Sequence, residues 1–151
     1  MTMVSDEDDP QLVHATAVSI AGGGIMIRGA SGSGKSDLAL RLIDRGAFLI
    51  SDDYVHLEKR DGNILLSPPA NLAGKLEVRS LGIIERDYIS GCELRLVIDL
   101  EKSPERLPLD KPVTILLGLA VPFCRLNALE ASAAIKAELA LQRIIQDRDS
   151  A

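Results

Sequence analysis

Eight residues, Gly29-Ala30-Ser31-Gly32-Ser33-Gly34-Lys35-Ser36, limit the folds open to this chain more than anything else in it. They satisfy the phosphate-binding pattern G-x-x-x-x-G-K-[ST], which requires a strand before it and a helix after it. Glycines let the backbone curl so that several N–H groups face one phosphate. Lys35 can then reach the β- and γ-phosphates, and the Ser36 hydroxyl can join a Mg²⁺ shell. The helix that follows points its positive end at the same anion.

The flanks supply that context. Gly24 to Arg28 is a short apolar run that reads as a buried strand. From Ser36 to Arg45, Leu38 with Leu42 and Ala39 with Ile43 stand four apart and predict one apolar helical face, ended by Gly46. Ala47 to Ile50 reads as a further strand closing a β-α-β unit, and it runs into Ser51-Asp52-Asp53. Acids at the end of such a strand lie at the edge where open α/β sheets bind ligands. One of the pair can help hold Mg²⁺ while the other accepts a proton from an attacking hydroxyl. Asp99, at the end of Leu94 to Ile98, is a second candidate for the metal.

The remaining chain is an α/β pattern without repeats. Leu12 to Ile20 predicts one strand, and Val55 to Ser67 a hairpin turning at residues 60–63. Glu77 and Arg79 alternate with Leu76 and Val78, which puts both on one face of an extended segment. Glu93 to Leu100 and Val113 to Leu119 read as strands, and residues 101–112 as a charged, proline-rich loop. From Asn127 the chain reads as helical. Asn127 and Glu130 form a capping-box-like start, and Leu129, Ala133, Ala137, Leu141 and Ile144 form a core stripe. The expected organisation is a disordered acidic tail over residues 1–10 and a single domain over 11–151.

Composition excludes several classes. At 151 residues the chain can close a core, which at 46% hydrophobic with two Phe, two Tyr and no Trp is aliphatic. A net charge of −5 argues against a nucleic-acid binder. No apolar stretch approaches the roughly 20 residues of a membrane span. The acidic start is unlike a signal peptide, so a cytoplasmic protein is expected. Cys92 and Cys124 belong to no metal-binding cluster and read as thiols of a reducing compartment. His14, a lone histidine in an apolar strand, carries little by itself.

Together these residues resemble the catalytic C-terminal domain of HPr kinase/phosphorylase. That family joins a phosphate loop to a strand ending in Asp-Asp. It then shows a signature close to Leu-Glu-Ile-Arg-Gly-Leu-Gly-Ile, read here as Leu76-Glu77-Val78-Arg79-Ser80-Leu81-Gly82-Ile83. Its histidine about fifteen residues before the loop matches His14, and Arg45-Gly46 matches as well.

The resemblance implies a P-loop kinase domain related to the phosphoenolpyruvate carboxykinase nucleotide-binding fold. Its reaction would be phosphorylation of a serine on the carrier protein HPr by Mg²⁺-ATP, with phosphorolysis as the reverse. It further implies that Gly29 to Ser36 and Arg79 hold the nucleotide, and that Asp52 is the acid/base with His14 tuning it. Asp53 would support the metal or the nucleophile. Ser36, Asp53 and Glu77 would serve the metal, Arg125 would stabilise the phosphate, and the assembly would be a hexamer.

The chain departs from the family in three places. Ser80 stands for a glycine, residues 88–92 keep little of a glycine-containing loop, and Pro122 to Asn127 replaces Pro-Gly-Arg-Asn. A catalytically weak ATP-sensing module that binds a phosphotransferase-system protein is the alternative expectation. A small-molecule kinase on the same scaffold is a third.

Overall fold

The computed structural model describes residues 10–108 and 110–149. The acidic tail expected over 1–10 lies outside them, apart from the exposed Pro10. In chain order the described elements are β1 (Gln11–His14), β2 (Thr16–Ile20), β3 (Gly23–Arg28), α1 (Lys35–Asp44), β4 (Phe48–Ser51), β5 (Tyr54–Arg60) and β6 (Asn63–Ser67). They continue with β7 (Lys75–Val78), β8 (Gly82–Glu85), β9 (Cys92–Leu100), β10 (Val113–Leu116), β11 (Leu119–Leu126) and α2 (Ala133–Asp149).

The main sheet follows the order β1-β5-β6-β9-β3-β2-β4, with β11 also on β9 and β10 on β11. β3, β9 and β11 run parallel. β2 pairs antiparallel with both β3 and β4, so the predicted β-α-β unit forms with a third strand inserted between its two parallel members. β7 and β8 make a separate hairpin.

Side chains alternate across this sheet with the period of two that strands impose. Ile25 and Ile27 of β3 and Leu96 and Ile98 of β9 face α1 and α2, where they meet Leu38, Leu42, Ala137 and Leu141. Met26 and Val97 face the other way, toward Val55, Leu57, Leu66 and Val121 of the curled outer strands. Each fully buried aliphatic side chain contributes about 1.5–3 kcal/mol. Helix α1 ends as expected. Gly46 has φ +110°, its N–H donates to the Ile43 carbonyl and that of Ala47 to the Leu42 carbonyl, the paired bonds of a Schellman cap.

Three expectations are corrected. The single strand over Leu12 to Ile20 breaks at Ala15, because β1 pairs with β5 while β2 pairs with β3 and β4. The strand expected over Val113 to Leu119 ends at Leu116, and after a turn at residues 117–118 the chain continues as β11, a strand the sequence did not single out. Pro122 lies opposite Val113 at the point where β11 leaves β10, and from Phe123 onward the strand pairs with β9. A proline is tolerated at such a change of partner because its missing N–H interrupts no continuous ladder.

The final helix also starts at Ala133 rather than Asn127. Asn127 Oδ1 accepts the Leu129 N–H at 2.9 Å and folds a local turn instead of capping a helix. Leu129 is therefore 84% exposed and falls outside the stripe that Ala133, Ala137 and Leu141 do form.

Candidate active site at the phosphate loop

The loop leaves β3 at Arg28, and Gly34 stands at the N-cap of α1 with φ +103°. No side chain caps the helix, so its amino-terminal N–H groups are available to an anion. Lys35 is buried, and its Nζ donates to the carbonyl oxygens of Gly29 (2.8 Å) and Ala30 (3.1 Å). Ser33 Oγ is the one buried side-chain polar atom left without a partner among the described residues. A Cβ placed on Gly29 would stand 2.5 Å from it. A cradle closed to side chains, with an unsatisfied hydroxyl and a buried ammonium, suits a nucleotide phosphate.

Asp52 and Asp53 have contrasting surroundings. Asp52 is buried; its Oδ1 accepts Ser36 Oγ (2.7 Å), Thr16 Oγ1 (3.0 Å) and the Asp53 N–H (3.1 Å). Its Oδ2 accepts the Glu77 N–H at 3.0 Å. A carboxylate offers about four lone-pair sites, so this one is close to saturated. Asp53 is 60% exposed, and its Oδ1 lies 2.9 Å from His14 Nε2. Tyr54, opposite His14 in the β1–β5 register, brings its ring centroid to 5.2 Å from the imidazole.

The backbone explains the divergence. Asp53 has φ +69°, and the Tyr54 N–H donates to the Asp52 carbonyl at 2.8 Å, which makes a γ-turn of the strained hand. The Ala15 N–H holds the Asp53 carbonyl at 3.0 Å. The chain thus turns between β4 and β5 just where β1 breaks from β2. Strain of this kind persists only where surrounding structure over-determines it, and it concentrates at functional sites.

Other expected residues sit differently. Glu77 reaches the cluster through its backbone N–H, while its side chain is exposed. Arg79 lies in the β7–β8 turn rather than extended beside Glu77, and it too is exposed. Arg125 is on β11, 3.7 Å from Glu101 and with its guanidinium carbon 4.7 Å from the Phe123 ring centroid, outside the Asp52 cluster. Asp99 is taken by Arg28 through both oxygens (2.7 and 3.0 Å), so it is not a free metal ligand.

Thr16 was missed. Its signal was a polar residue two positions beyond His14 in an apolar run. Neither cysteine is bonded to another. Burial, reinforced by the Asp99 carboxylate, raises the Cys124 thiol to about 11, and burial also raises Cys92.

No group of three or more His, Cys, Asp or Glu side chains among the described residues could hold a metal by itself. A cation there would share its shell between a few protein oxygens and phosphate, as Mg²⁺ commonly does. Ser36 donates its proton to Asp52, which leaves its oxygen lone pairs for such an ion.

The profile of the HPr Serine kinase C-terminal domain matches residues 8–145. The chain belongs to this family. Among curated relatives, an HPr kinase/phosphorylase of Clostridium botulinum is 37% identical over 121 residues, covering 72% of this chain and 40% of the relative. One from Chlorobium phaeobacteroides is 32% identical over 130 residues, 77% of this chain and again 40% of the relative.

This HPr serine kinase C-terminal domain family member thus spans about 40% of the length of those relatives. Among solved structures, the Hpr(Ser) kinase/phosphatase from Coxiella burnetii superposes with a TM-score of 0.78 at 29% identity, covering 93% of this chain and 99% of that one. The α/β fold with its curled sheet is the one this family uses. No helix among the described residues is long and apolar enough to cross a membrane.

Proposed function

We propose that the chain is a Mg²⁺-ATP-dependent protein serine kinase acting on the phosphocarrier protein HPr, with phosphorolysis of the phosphoserine as its reverse. Family membership supports the reaction class, and the names of the relatives supply the partner. The observation that carries the reading is the strained, exposed Asp53 held by His14 beside a buried Asp52 tied to Ser36.

We assign the two acids the reverse of the roles that the resemblance implies. Asp52 already accepts four hydrogen bonds and has little capacity to receive a substrate proton. Its work is to fix Ser36, the turn and the β7–β8 hairpin. Asp53 has a carboxylate open to solvent and one imidazole partner. It suits removal of the proton from an attacking serine hydroxyl, with His14 orienting it. Microscopic reversibility makes the same group the proton donor in phosphorolysis.

The phosphates of ATP would rest on the N–H groups of Gly29 to Ser36 and on Lys35. Mg²⁺ would be held by Ser36 on the side of Asp52, where it neutralises charge on the phosphates. Positioning and charge neutralisation are most of what phosphoryl transfer needs. Arg79 and Glu77, on the hairpin above Asp52, and Arg125 at the end of β11 are proposed to approach the nucleotide or partner once these are bound.

The test is transfer of labelled phosphate from Mg²⁺-ATP to purified HPr. Asp53→Asn should lower transfer by about 10²–10⁴-fold, the usual contribution of a general base, with Mg²⁺-ADP binding retained. Asp52→Asn should weaken Mg²⁺-ADP binding as well. Full transfer by Asp53→Asn would sink the role given to it, and tight ATP binding without transfer to HPr by the unmodified chain would sink the kinase reading.

A further inference from the structure

We propose that Arg41 is a positioning residue for the phosphate loop, clamping the turn between β11 and α2 against Gly34 so that nucleotide affinity depends on the clamp. The proposal rests on the reading of the loop as a nucleotide site. Arg41 lies on α1, and its Nε donates to Asp37 Oδ2 one helical turn back at 3.1 Å. Taken alone, such an exposed i,i+4 pair is worth little. The same guanidinium, however, extends across to a segment more than eighty residues on in sequence. Nη1 donates to the Glu130 carbonyl oxygen at 3.1 Å, and Nη2 to the Ala128 carbonyl oxygen. A planar fork makes three bonds in fixed directions, which an ammonium on a flexible stem cannot reproduce.

What the clamp holds is in contact with the loop. Ala128 is 3% exposed, and a Cβ placed on Gly34 would lie 3.0 Å from the Ala128 methyl. The turn therefore packs on the residue where the loop becomes helix, and Gly34 at φ +103° has no side chain to fill the space if the turn moves away. The far end of the turn is tied down separately, with Asn127 Nδ2 donating to the Lys102 carbonyl at 3.1 Å. Its near end has Arg41. Arg41 touches neither Asp52 nor Asp53 nor the loop's phosphate-facing groups, so it acts through Ala128 and Gly34.

The experiment is calorimetric titration with Mg²⁺-ADP of the full chain, its Lys35→Ala control, Arg41→Ala and Arg41→Lys, each with its melting temperature. Both Arg41 variants should bind Mg²⁺-ADP about tenfold more weakly, the usual scale of coupling between neighbouring sites. In phosphate transfer the loss should appear in KM for ATP more than in kcat. Arg41→Lys keeps the charge and the helix propensity, so it should fold even if Arg41→Ala does not. Hydrogen exchange without nucleotide should quicken at residues 128–132 in Arg41→Lys. Unchanged exchange there, or wild-type Mg²⁺-ADP affinity in folded Arg41→Lys, would overturn the clamp. Failure of the unmodified chain to bind Mg²⁺-ADP would instead overturn the nucleotide site on which the clamp depends, while the exchange measurement would still report whether Arg41 holds the turn.

Discussion

Left-handed backbone at a residue other than glycine costs about 1–2 kcal/mol, so each instance calls for a reason. Asp53 has one, since its turn aims a carboxylate at His14. Ser80, at φ +74° in the turn of the β7–β8 hairpin, has no comparable return, since its side chain is exposed. Ser80→Gly should therefore raise the unfolding free energy by about 0.5–1 kcal/mol, read by urea denaturation, with phosphate transfer unchanged. A loss of stability would mean that the turn gains more from serine than its backbone shows.

At this scale the sequence pointed to Ser36, Asp52, Asp53 and His14 as candidates but not to the hydrogen bonds that join them. The loop was legible because its pattern is local, eight consecutive residues between a strand and a helix. The division between Asp52 and Asp53 was not. It depends on where β1 breaks and on Thr16 arriving from another strand, and adjacent acids look alike in a sequence.

Among the elements, β3 and β9 are bound most closely, and Gly24 marks the tightest point. A Cβ there would meet the Glu93 carbonyl oxygen at 2.8 Å, backbone that cannot step aside. At Gly23, one residue earlier, the nearest atoms are flexible side chains of Arg95 and Leu141 at 3.4 Å. Gly24→Ala should cost about 1–3 kcal/mol, the range for overpacking, and Gly23→Ala well under 1 kcal/mol. Thermal melts of the two variants side by side would check the contrast, and equal melting points would contradict it.

Elements with a complete local signal were read correctly from the sequence. Helix α1 carried its apolar stripe and its terminal glycine, and the β5–β6 hairpin carried its turn. Elements that owe their state to a distant partner were not singled out or were misplaced. β11 is extended because β9 and β10 bracket Pro122, and α2 starts late because Asn127 finds a nearer N–H to bind.

For the molecule as a whole, a ligand that binds only the folded state stabilises it by mass action. Mg²⁺-ADP at a hundred times its Kd should add about 2.7 kcal/mol, a melting shift of roughly 5–10 °C for a chain of this size. Lys35→Ala should show no such shift in a thermal scan. An equal shift in that variant would place the nucleotide elsewhere.

The overall sheet order was beyond the sequence, because pairing between strands far apart in the chain leaves no local trace. β9 alone joins β6, β3 and β11, and its Asp99 closes on Arg28, 71 residues earlier, at the mouth of the loop. The phosphate loop is compact in sequence, yet the strand that steadies its base is made much later. A chain emerging from the ribosome carries the whole nucleotide motif well before it carries β9. The Gly29 to Ser36 loop therefore lacks the support of the Asp99–Arg28 pair at its base until β9 has been synthesised and docked, long after its own eight residues have emerged.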